Sequence, residues 1–195
     1  MHRTLSLITA AAIWAAAALP AGGPPIMTLA PVRLLSDNSI VAGASSMLVR
    51  NDAGLTMNFN TTGLLPGTYT IWWVIYNDPS KCDTSPCNLD IFDDDYVEAN
   101  GSTLWAAGHI VTQPGQNFSG WLGVGDTKKA LDGPGLLDPR GAEIYLIARY
   151  HGPLAPKLVH EQISTFGGGC SPATGGSTPG GFDCYELQYA DHIAP

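Results

Sequence analysis

Apolar and polar positions along this chain alternate mostly with a period of two, in short stretches separated by turn formers. In Leu55 to Thr61, Leu55, Met57 and Phe59 alternate with Thr56, Asn58 and Asn60, the pattern of a strand with one buried and one wet face. Ser46 to Arg50 precedes it across Asn51-Asp52-Ala53-Gly54, which predicts a hairpin. Thr68 to Tyr76 is different, being β-branched or aromatic at almost every position. Such a run belongs at the centre of a sheet covered on both faces, with Trp72 and Trp73 as packing residues pointing opposite ways. Ala142 to Tyr150 reads as a second strong strand. Thr103 to Val111, Phe118 to Val124 and Cys184 to Ala190 complete the clear ones. Ile26 to Leu35 is extended, but Pro31 makes it an edge strand or two short pieces. Lys157 to Phe166 fits a strand or a short helix equally.

Loops fill the gaps. Asn77 to Asn100 is long and carries an acidic run. Gly125 to Gly141 has room for one helical turn near Thr127 to Leu131, and Gly167 to Gly181 is rich in Gly, Ser and Pro. About eight or nine strands, and no helix longer than two turns, predict an all-β fold. It is a single antiparallel β-sandwich or flattened barrel occupying residues 22–195, without an internal repeat.

The N-terminus lies outside this pattern. Met1-His2-Arg3 is basic, and Leu5 to Leu19 is apolar except for Ser6 and Thr9. Pro20-Ala21-Gly22-Gly23 then offers small residues for cleavage, so residues 1–21 read as a cleaved signal peptide. The apolar run is about 15 residues, against roughly 20 needed to span a bilayer. The expected location is secreted or periplasmic, with no stable membrane insertion after cleavage.

Charged residues make up 13% of the chain and its formal net charge is −8, one unit lower once Arg3 leaves with the signal. An acidic balance excludes nucleic acid, whose phosphates need Lys and Arg, and it disfavours anionic lipid. An even set of four cysteines in an exported chain reads as two disulfides. Cys82–Cys87 and Cys170–Cys184 is the expected pairing, because each pair brackets a turn-rich loop. Four thiolates around zinc are the rival, poorly served by this spacing.

Gly141 to Pro153, Gln162 to Cys170, and Tyr69 to Asn77 with Cys82 and Cys87 resemble motifs of exported bacterial proteins of uncharacterised function. That resemblance covers most of the mature chain and implies no reaction. More distantly, the chain is similar to chordin-type (CHRD) extracellular β-sandwich domains. Gly63 to Gly67 matches their turn and His151 their late histidine, while Ile71 to Ile75 stands where they carry paired histidines.

Three kinds of chemistry are open to the residues. His109, His151 and His160 are imidazoles suited to copper or zinc if the fold gathers them. Asp90, Asp93, Asp94 and Asp95 offer hard oxygens for calcium, although the run lacks the glycine and order of an EF-hand loop. No G-x-S-x-G elbow is present, and carboxylate pairs such as Glu143 and Glu161 carry little signal for glycoside chemistry. Asn60-Thr-Thr62, Asn100-Gly-Ser102 and Asn117-Phe-Ser119 fit the N-glycosylation pattern. The sequence therefore reads as a disulfide-stabilised binding or structural module, not an enzyme, with an extracellular protein or a glycan as partner. A metal-binding extracellular protein is the alternative. A lectin-like role requires an exposed tryptophan.

Overall fold

A computed structural model describes residues 22–90 and 93–194, so the expected signal peptide over residues 1–21 lies outside the described residues. Among the described residues, ten antiparallel strands form two sheets, one of four and one of six. The four-stranded sheet has the order β1-β3-β4-β7, with β1 at Ile26–Ala30, β3 at Ser45–Asn51, β4 at Gly54–Thr61 and β7 at Gln116–Gly123. The six-stranded sheet runs β2-β10-β9-β5-β6-β8. Its members are β2 (Arg33–Leu34), β5 (Gly67–Tyr76), β6 (Ser102–Val111), β8 (Ala130–Asp132), β9 (Glu143–Tyr150) and β10 (Tyr185–His192).

The expected elements are present, and the deviations have local causes. Pro31 divides the first extended stretch, and β1 and β2 join different sheets. The hairpin turn at Asn51 is held by its side-chain oxygen, which accepts from the backbone N–H groups of Ala53 (2.8 Å) and Gly54 (3.1 Å). Thr127 to Leu131 does not form the expected helical turn. Its second half is the edge strand β8, because β6 has an unpaired edge there and Trp105 N–H donates to Lys129 O at 3.1 Å. Within the acidic run, expected to be loop, Asp94–Glu98 forms a short helix, α1. Asp93 caps it by accepting from Tyr96 N–H at 3.0 Å, and Asp94 and Asp95 sit where the helix dipole favours negative charge. The ambiguous Lys157 to Phe166 stretch contains one helical turn, α2 (Val159–Gln162).

The sheets enclose one apolar layer. Leu48, Leu55, Met57, Phe59 and Phe118 from one sheet meet Tyr69, Ile71, Trp73, Ile75, Leu104, Ile144 and Leu146 from the other. Trp73 is fully buried in this layer, while Trp72 faces the opposite way. The outer side of the six-stranded sheet is covered too. There Val74, Tyr76, Tyr145 and Ile147 pack beneath the 77–100 loop with Cys87, Tyr96 and Ala99. That second cover is why every residue of β5 is buried.

Buried polar groups tie the two sheets together toward both ends of the sandwich. Buried His192 on β10 contacts Thr28 Oγ1 (2.9 Å) and Ser46 Oγ (2.8 Å) across the sheets. Buried Arg50 donates to the carbonyls of Pro139 (3.1 Å), Ala142 (2.6 Å) and His192 (2.7 Å). Gln188 bonds Thr61 and donates to Thr62 O at 2.9 Å.

Candidate binding cleft

Both expected disulfides are present, Cys82–Cys87 and Cys170–Cys184, and among the described residues no cysteine is free. They staple two long loops that rise from the outer face of the six-stranded sheet. Between the loops lies an apolar cleft of about 270 Å³, small for a ligand site, where roughly 300–1,000 Å³ is usual. Trp72, Val74 and Ile147 make its floor on adjacent strands, Trp72 and Ile147 being direct cross-strand partners. Phe166 walls one side and Leu89 the other, with Asp90 and Glu186 placing carboxylates among the lining groups.

The Phe166 wall is held from the sheet by two polar systems. In the first, Trp72 Nε1–H donates to Thr70 Oγ1 at 2.7 Å, and Thr70 lies 2.7 Å from His151 Nε2. His151 Nδ1 lies 3.0 Å from Gly168 O. Burial lowers the His151 pKa to about 4, so the ring is neutral at pH 7 with one N–H. A carbonyl only accepts, so that hydrogen sits on Nδ1 and points at Gly168. Nε2 therefore accepts from the Thr70 hydroxyl, and every group in the chain is satisfied.

The second system is Arg149 on β9. Its Nε donates to Phe166 O (3.0 Å) and its Nη2 to Thr174 O (2.7 Å), while Nη1 pairs with the Glu186 carboxylate. The guanidinium carbon also lies over the Phe166 ring, 4.0 Å from its centroid, and the ring meets Trp72 edge-on at 5.3 Å. Phe166 is thus fixed by backbone and ring together. Replacing Cys170 and Cys184 by serine removes the covalent tie of this loop, a closure of 14 residues. We expect a loss of about 3 kcal/mol from such a loop. Urea unfolding under identical conditions measures it, and an unchanged midpoint excludes a structural role for the bridge.

The sequence-derived metal candidates are dispersed. His109 on β6 is exposed and packs on Phe118 (5.0 Å) at the side of the sheet facing its partner sheet. His151 bonds Thr70 on the opposite side, and His160 is exposed on α2. Asp93 caps α1 and accepts from Asn88 Nδ2 (2.8 Å), and Asp95 accepts from Asp83 N–H (2.9 Å). Asp94 is exposed on the first turn of α1, and Asp90 is exposed at the cleft. Among the described residues, one group of three metal-ligating side chains converges, namely His151, Cys170 and Cys184, all buried. Its two sulfurs are bonded to each other, and a soft metal ion needs the thiolate form.

Of the cleft residues, Ile147, Phe166, Arg149 and Glu186 carried no signal as a site in the sequence. Arg149 was the available clue, since an arginine inside the apolar run Glu143–Tyr150 must find partners off the sheet. Comparison with protein-family models, curated proteins and solved structures found no match to this chain. What fold and geometry define is an all-β sandwich stabilised by two disulfides. The bridges fit an oxidising environment, and among the described residues no helix is long and apolar enough to cross a membrane.

Proposed function

We propose that this is an exported binding module, of the kind its resemblance to exported bacterial and chordin-type domains implies, and that the cleft over Trp72, Val74 and Ile147 takes its ligand. One observation supports this most. An apolar hollow has been left open on a sheet face that is otherwise covered, and its walls are pinned by disulfides and by buried Arg149 and His151. Preorganised walls lower the ordering cost of binding. The lining favours a small, largely apolar molecule, and Glu186 and Asp90 disfavour an anionic one.

N-phenyl-1-naphthylamine, a neutral apolar fluorophore, is the probe for this site. The protein is expected to enhance its fluorescence with one-to-one stoichiometry. Ile147→Trp, which fills the floor, should weaken binding by about tenfold, the equivalent of about 1.4 kcal/mol. No enhancement, or equal affinity in the variant, overturns the assignment.

A further inference from the structure

Among the described residues, nothing covers the outer face of the four-stranded sheet, on the opposite side of the molecule. On that face Trp121 of β7 is 61% exposed. The indole reaches to Gly123, where an added Cβ would come within 2.6 Å of ring carbon Cη2. Glycine at that position makes room for the ring, most of which stays open to solvent.

The side chains beside Trp121 on β4 and β7 are uncharged hydrogen-bonding groups, while Met27, Leu29, Met47 and Val49 make the β1–β3 half of the face apolar. Thr56 is its direct cross-strand partner, and Asn58 pairs with Ser119 in the next row on the same face. Asn60 pairs with Asn117 beyond them. Among the described residues, the side chains of these five make no hydrogen bond within the protein. No outward position of β4 or β7 bears a charge, although the chain has a net charge of −8.

We propose that this face is a second binding site, for a neutral glycan. The apolar C–H face of a pyranose ring would stack on Trp121, and its hydroxyls would bond the row of Thr56, Asn58 and Ser119. The match is one of charge as well as shape. A neutral polyhydroxylated chain meets a surface of amides and hydroxyls without having to desolvate an ion, whereas an anionic polysaccharide faces the repulsion of an acidic protein. Same-face side chains recur about every 6.7 Å along a strand and about 4.8 Å between strands, so an extended chain fits better than a single sugar.

The test uses the full chain exported by a bacterial host, where Asn60 and Asn117 stay unmodified. Affinity electrophoresis through hydroxyethyl cellulose, a neutral β-1,4-glucan, is expected to retard the protein, and polygalacturonate is not. Trp121→Ala should weaken retardation by about tenfold and Asn58→Ala by about threefold. Both positions are on the solvent face, so the fold survives either change. Ile147→Trp should be retarded like the unaltered protein, which separates this site from the cleft.

Absence of retardation by both the glucan gel and added chitohexaose overturns the proposal, as does equal retardation of Trp121→Ala. So does a concentration-dependent dimer in analytical ultracentrifugation that Leu29→Glu abolishes. That result assigns the face, with exposed Met27 and Leu29 on β1, to a second copy of this chain.

Discussion

The protein is expected to lose on the order of 5 kcal/mol of stability as the pH falls from about 6.5 to about 4, with two histidines supplying the loss. His151 and His192 are both buried in polar networks, and burial lowers each pKa from 6.5 to about 4. Neighbouring cations act in the same direction, Arg149 on His151 and Arg50 on His192, while the hydrogen bond to Gly168 opposes the shift at His151. Between these pH values the unfolded chain binds protons that the native state refuses. Stability is therefore fully present above about pH 6.5 and declines by up to about 1.4 kcal/mol per histidine for each pH unit descended. Glu143 moderates the slope. Its carboxyl is held above its usual range by burial, so it favours the native state on the acid side of that range. Urea midpoints at pH 7.5 and 4.5 measure the effect, and His192→Asn should remove about half of it. A midpoint that is flat across this interval contradicts the assignment.

Arg50→Met is expected to cost about 3–5 kcal/mol, the usual result of deleting one member of a buried charged network. Arg50 enters the interior from β3 and binds three carbonyls, two in the 138–142 loop and one on β10. Methionine fills similar volume and leaves those carbonyls buried without a donor. Burial lowers the Arg50 pKa to about 10, and Asp138 and Glu143 counteract it, so the guanidinium remains charged at neutral pH. Its Nε is the one buried side-chain N or O atom without a partner among the described residues. Arg50→Lys keeps the charge but cannot span the three acceptors, so it should fall between the two. Urea unfolding at pH 7.5 reads all three proteins. If Arg50→Met unfolds at the wild-type midpoint, the network carries no net stability.

Much of this protein was legible from local chemistry. Period-two alternation marked β4, the unbroken β-branched and aromatic run marked β5 as central, and turn-rich intervals between cysteines marked both disulfides. Each of those signals is local, the longest being the separation of 14 between Cys170 and Cys184, because strand burial and short-loop bridging are local matters. The helix α1 was hidden because its cap, Asp93, also belongs to a run of like charges that reads as solvated loop. β8 was hidden because a three-residue edge strand exists only where β6 offers it an unpaired edge.

The sequence by itself determined the disulfide pairing, strand content and the opposite aim of Trp72 and Trp73, since all of these follow from residue type and neighbouring positions. Tertiary structure alone decided which faces stay open. Phe166 reaches Trp72 only because Arg149 and His151 hold a loop from across the sheet, and His109 is kept from His151 by the sheet between them. Trp121 is exposed because, among the described residues, no element packs over the four-stranded sheet. Convergence of that kind depends on pairing between segments distant in the chain, and periodicity does not encode which segments meet.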